Sequence, residues 1–161
     1  MKLLLALIFS LVSFQPAFAG WDRTEWGMSR DEAQQAYPEA SLETVEYVVS
    51  ADSPAQTRQV LALTNWQFAG LRWPRVEFVF EGPGLSQVKL DTAERFESLR
   101  DRLAGQFGIP VIDESQCGRR RICERKAVFV DERNQNQITV GSVRFLGDTT
   151  WLLYEPIASG F

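Results

Sequence analysis

Residues 76–90 read Val-Glu-Phe-Val-Phe-Glu-Gly-Pro-Gly-Leu-Ser-Gln-Val-Lys-Leu. Val76, Phe78 and Phe80 alternate with Glu77, Val79 and Glu81, the period of a half-buried strand. Gly82-Pro83-Gly84 then turns the chain, and Leu85 to Leu90 reads as the returning strand of a hairpin. Directly afterwards the period changes. Ala93, Phe96, Leu99, Leu103 and Phe107 recur at helical spacing and predict one apolar stripe. Asp91 or Thr92 is placed to cap its start, and Gly108 before Pro110 to end it.

Upstream of the hairpin, Val60, Ala62, Thr64, Trp66 and Phe68 alternate with Leu61, Leu63, Asn65 and Gln67, a strand covered partly on both faces. Another strand is expected around Thr44 to Ser50. Before these, Ser29-Arg30-Asp31-Glu32 has the spacing of a capping box. It opens a first helix that ends near Tyr37, because Pro38 disfavours helical geometry in the residue before it. Downstream, Lys126 to Arg133, Gln137 to Phe145 and Thr149 to Glu155 read as three more strands. The expected fold is α+β, an antiparallel sheet of about six to seven strands with two helices packed on one face. Its order is α-ββββ-α-βββ. No internal repeat, low-complexity run or long linker divides residues 20–161, which read as one domain.

Residues 1–19 have the form of a secretory signal peptide. Met1-Lys2 is a short basic start, Leu3 to Phe14 is almost wholly apolar, and Ala17-Phe18-Ala19 supplies small residues before a cleavage site. The apolar run is shorter than the roughly 20 residues a spanning helix needs, and no later segment approaches that length. A periplasmic or secreted location is therefore expected, with no membrane-spanning segment after cleavage. In an oxidising compartment the two cysteines, Cys117 and Cys123, are expected to form a structural disulfide.

The segment Trp26-Gly27-Met28-Ser29-Arg30-Asp31-Glu32-Ala33 resembles the opening of small exported domains whose first helix begins G-M-[ST]-x-[DE]-[EQ]-[AV]. Outer-membrane assembly lipoproteins of the SmpA/OmlA (BamE) type and β-lactamase inhibitor proteins share such a start. Leu103-Ala104-Gly105-Gln106-Phe107-Gly108-Ile109-Pro110 is similar to a helix end found in exported bacterial proteins of unknown function that also open W-G-M-S. The resemblance implies helices laid on an antiparallel sheet and a role in binding other proteins. The chain lacks the lipidated Cys of the first group, and has one G-M-S start where the second has two.

The composition excludes much chemistry. The chain contains no His, so Ser-His-Asp and Cys-His catalysis and His-ligated metal sites are absent. Two Cys cannot make a four-thiolate metal site. No phosphate-binding glycine loop or G-x-S-x-G elbow occurs. What remains for an enzyme is a pair of carboxylates. Glu77 and Glu81 lie on one strand about 13 Å apart, too far for that work. Asp113 and Glu114 read as loop acids. A formal net charge of −4 argues against a general nucleic-acid binder.

Two features stand out as binding candidates. Arg119, Arg120 and Arg121 lie inside the disulfide loop, with Arg125 and Lys126 close behind, and guanidinium forks match carboxylates and phosphates. Of the five Trp, Trp66 and Trp151 sit in strand patterns and are expected in the core. Trp73, beside Pro74, is expected on an exposed edge strand. The sequence thus predicts a non-catalytic exported protein-binding module, an inhibitor or an envelope assembly factor. Its partner would be an envelope or secreted protein, met through Arg119, Arg120, Arg121 and Trp73. The alternative is a binder of anionic lipid or glycan through the same arginines, and a carboxylate hydrolase comes third. No metal or other cofactor is expected.

Overall fold

A computed structural model describes residues 20–47, 54–118, 122–144 and 148–157. Its elements are α1 (Arg30–Ala36), β1 (Ser41–Tyr47), β2 (Gln56–Phe68), β3 (Leu71–Glu81), β4 (Gly84–Thr92), α2 (Phe96–Phe107), β5 (Ile112–Cys117), β6 (Cys123–Asp131), β7 (Asn136–Arg144) and β8 (Asp148–Pro156). All eight strands join one antiparallel sheet in the order β1-β2-β3-β4-β8-β7-β6-β5. Each half of the chain is a helix followed by a four-stranded meander. The last strands of the two halves, β4 and β8, pair at the centre. The architecture repeats although the sequence does not.

The expected sheet of six to seven strands in the order α-ββββ-α-βββ is therefore corrected to eight strands in the order α-ββββ-α-ββββ. The missed strand is β5, whose six residues are all exposed. A strand that buries neither face carries no alternation to read. It is held instead by backbone pairing to β6, from Ile112↔Val128 to Cys117↔Cys123, and by the disulfide between the last pair.

Register explains the core. Leu61, Phe78, Val88, Tyr154, Ile138 and Phe129 face one another in a single row across β2, β3, β4, β8, β7 and β6. Leu63, Val76, Leu90, Leu152, Val140 and Ala127 form the next row on the same face. Ala33 and Tyr37 of the α1 segment and Phe96, Leu99 and Leu103 of α2 belong to the same buried cluster, so both helices cover this face. Each such side chain taken out of water contributes roughly 1.5–3 kcal/mol.

The Trp26–Ser29 opening turns out to be a clasp. Gly27 N–H donates to the Leu85 carbonyl at 2.9 Å, and Leu85 N–H to the Met28 carbonyl at 2.8 Å. A Cβ on Gly84 would come within 2.9 Å of the Gly27 α-carbon, so the close approach of the two backbones requires glycine at 84. The Trp26 indole N–H reaches the second half, donating to Asn136 Oδ1 at 2.9 Å. Ser29 and Glu32 form the capping box. The second helix starts later than the apolar stripe suggested. Ala93 is exposed, Thr92 Oγ1 accepts from Glu94 N–H, and the N-cap is Arg95 with no side-chain cap.

Candidate functional site

Side chains alternate along a strand, so the rows between those of the core point to the opposite face. Among the described residues, no helix packs there. In one row Ile112, Val128, Thr139 and Leu153 lie side by side across β5, β6, β7 and β8. In the next, Glu114, Lys126, Gly141 and Trp151 are followed by Asp91 and Arg75 of the first half.

The two halves of this face differ in character. From β1, β3 and β4 it carries a lattice of ions. The Arg75 guanidinium bridges Glu43 at 2.8 Å and Glu77 at 2.7 Å, and Lys89 pairs with Asp91 at 3.1 Å. Hydrogen bonds from Arg75, then from Ser41, hold the Glu43 carboxyl below the ordinary glutamate range. Burial pulls the Arg75 guanidinium downward, and its bonds to Glu77 and Glu43 overcome that and raise it. The more exposed pairs, Arg75–Glu43 and Lys89–Asp91, contribute only tenths of a kcal/mol to about 1 kcal/mol each, so they order the surface more than they stabilise the fold.

The second half is built around Trp151. Its indole lies over Gly141, where an added Cβ would come 2.3 Å from Cζ2. The ring is half-buried and borders a depression of about 290 Å³ with Thr139, Val143, Lys126, Glu114 and Glu124. An aromatic centre with a polar, charged rim is the anatomy of a protein-binding patch. The adjoining sheet edge adds exposed aliphatic area, since Ile109 and Val111 lead into β5 at 90% and 65% exposure.

Cys117 and Cys123 are disulfide-bonded and oppose each other at the end of the β5–β6 hairpin, where Gly118 N–H donates to the Ile122 carbonyl at 2.8 Å. Arg119, Arg120 and Arg121 lie outside the described residues. The two cations that follow part company. Arg125 belongs to the helix side, stacked 4.7 Å from the Phe96 ring centroid, ion-paired to Glu97 and bonded to Ser142 Oγ. Lys126 is exposed on the helix-free face opposite Glu114.

Trp73 is a correction. It is 2% exposed, and its indole N–H donates to the Phe68 carbonyl at 3.1 Å. The edge inference from Pro74 holds only for the backbone. Pairing of β3 with β4 begins at Arg75, so Leu71–Pro74 extends beyond β4 with β2 alone beside it. Its side chain nevertheless joins the core cluster with Trp21. Trp66 and Trp151, expected in the core, are half-buried. Sequence reasoning misplaced Trp151 as well as Trp73. Along β8, Trp151 and Leu153 are as apolar as Leu152 and Tyr154, so the alternation does not say which set faces the helices. Opposition to a glycine on β7 was the usable signal, and it requires the register. Of the acids considered for catalysis, Glu77 is bound to Arg75, and Asp113 pairs with Arg100 at 3.3 Å.

No helix among the described residues is long and apolar enough to cross a membrane. Compared with family models, curated proteins and solved structures, the chain finds no match.

Proposed function

We propose that the protein is an exported, non-catalytic binding module that docks another envelope or secreted protein on the helix-free face of its sheet. Trp151 is the central anchor, and Arg119, Arg120 and Arg121, which fall between β5 and β6 in the sequence, are a cationic flank. One observation carries the reading: a half-exposed Trp occupies the space over a glycine, on the fifth of eight strands, with a depression beside it. Large aromatic rings at the centre of a patch dominate protein interfaces, whereas scattered surface charges contribute little. Inhibition of the partner and assistance in its assembly both fit such a face. The same reading assigns a periplasmic or secreted location, supported by the Cys117–Cys123 bond and the leader-like residues 1–19.

The test is capture from envelope extract with the purified protein, Trp151→Ala and Arg119/Arg120/Arg121→Ala as parallel baits, quantified by mass spectrometry. A protein enriched by the parent should fall about tenfold or more with Trp151→Ala. The arginine variant should lose less, and its loss should shrink in high salt. A partner kept in full by Trp151→Ala overturns the assignment of the face. No enriched protein, together with arginine-dependent binding to phosphatidylglycerol vesicles, replaces the protein partner by an anionic lipid.

A further inference from the structure

On the helix side a second cavity, of about 460 Å³, opens between the residues before α1, the β2–β3 turn, α2 and the β6–β7 turn. Its volume falls in the range of small-molecule sites. Its walls mix polar and aromatic side chains, the latter being Trp21, Phe68, Trp73, Phe107 and Tyr154. Two polar side chains in the wall, Asp131 and Tyr154, could receive a donor. Asp131, 9% exposed, accepts hydrogen bonds from Asn134 N–H and Nδ2 but has no ion-pair partner among the described residues. The other buried carboxylate among the described residues, Glu77, has Arg75. The hydroxyl of Tyr154, 7% exposed, has no hydrogen-bond partner among the described residues, and burial, with the charge of Asp131 as the lesser cause, raises its pKa.

The other charges at the cavity do not supply the missing cation. Arg102 donates to both oxygens of Glu94, at 3.1 and 3.3 Å. Arg23 lies over the rings of Tyr37 and Trp66 and bonds the Ala36 carbonyl. Asp22 and Glu25 add further negative charge, Asp22 accepting from the Tyr37 hydroxyl. A buried carboxylate is stable when paired, and aromatic faces attract cations.

We propose that this cavity binds a small organic amine with an apolar body. The ammonium group donates to Asp131 and to the Tyr154 oxygen, and the body rests against the partly buried Phe68 and Phe107. The site is separate from the docking face, and its failure would leave that reading untouched. 2-Phenylethylamine is the probe, followed by tryptophan fluorescence and calorimetry on the disulfide-bonded protein as recovered after export. Saturable binding is expected for the amine and none for 3-phenylpropionate, which carries the opposite charge on a similar frame. Asp131→Asn keeps an acceptor for Asn134 and should weaken the amine tenfold or more. Tyr154→Phe keeps the ring and should weaken it about threefold, which decides the matter if the first variant fails to fold. No saturable binding, equal binding of the acid, or undiminished affinity in the folded variants overturns the proposal.

Discussion

Gly141 and Trp151 face each other across the β7–β8 ladder, and the indole ring occupies the space a side chain at 141 would need. A Cβ there would lie 2.3 and 2.4 Å from two ring carbons. Glycine in a strand interior costs about 0.5–1 kcal/mol in backbone freedom, so its presence calls for a local reason. The ring is that reason.

Gly141→Ala should therefore act in an unusual way for so small a change. Ordinary strand propensity favours Ala over Gly, yet the methyl must push the indole off the sheet. A loss of about 1–3 kcal/mol is expected from overpacking. The Trp emission should shift towards that of an exposed ring, measured beside urea unfolding. A variant as stable as the parent with unchanged emission would mean that the ring is not seated on Gly141.

The bond between Cys117 and Cys123 closes a short loop at one sheet edge. Chain entropy assigns it about 2–2.5 kcal/mol for a loop of that size. Because β5 buries no face, this contribution is local. Reduction, or Cys117→Ser with Cys123→Ser, should release the amides of Ile112–Cys117 to hydrogen exchange. Those of β7 and β8 should stay protected. Exchange that rises equally across all eight strands would show that the bond holds the whole sheet.

Much of the fold was legible because most elements bury one face and leave the other wet. The hairpin of β3 and β4, the capping box and the stripe of α2 each carry a period set by that asymmetry. In β2, Val60, Leu61, Ala62 and Leu63 are all buried, as a strand apolar on both sides requires. The failures share one cause. β5 has no buried face, and β8 is apolar on both, so in neither does alternation fix the structure. Trp73 followed its backbone to an edge while its side chain went to the core. The candidate face was least legible of all, since rows such as Glu114, Lys126, Gly141 and Trp151 exist only once four strands are in register.

Two of the three tyrosines set the alkaline limit of stability. Burial raises the Tyr37 hydroxyl, with a backbone bond from Arg23 opposing and Asp22 adding to it. Burial raises Tyr154 as well, with Asp131 adding. A native value above the unfolded value of about 10 means that the neutral phenols favour the fold. That stability is fully present below about pH 10 and is lost as the pH climbs towards the raised native values. Tyrosinate absorbance from these two rings should appear together with loss of the circular dichroism signal. Complete ionisation of all tyrosines with the dichroism intact would contradict their burial.

The capping box sets an acid response of the opposite sign. Ser29 lowers the Glu32 carboxyl, first through its hydroxyl and then through its backbone N–H. A native value below the unfolded one gives stability that is present above the usual glutamate range and lost as the pH falls through the lowered value. Ser29→Ala removes the cap itself and should cost about 1 kcal/mol at neutral pH. Glu32→Gln keeps the Ser29 half of the box, so its cost should be smaller and should vanish in acid, where the parent carboxylate is already protonated. The consequence extends beyond α1, because Ala33 and Tyr37 reach the core from this segment and Gly27 and Met28 just before it clasp Leu85. Melting temperatures of the parent and both variants, compared at neutral and acidic pH, test this. A Glu32→Gln deficit that persists unchanged in acid would show that the carboxylate acts by packing and not by charge.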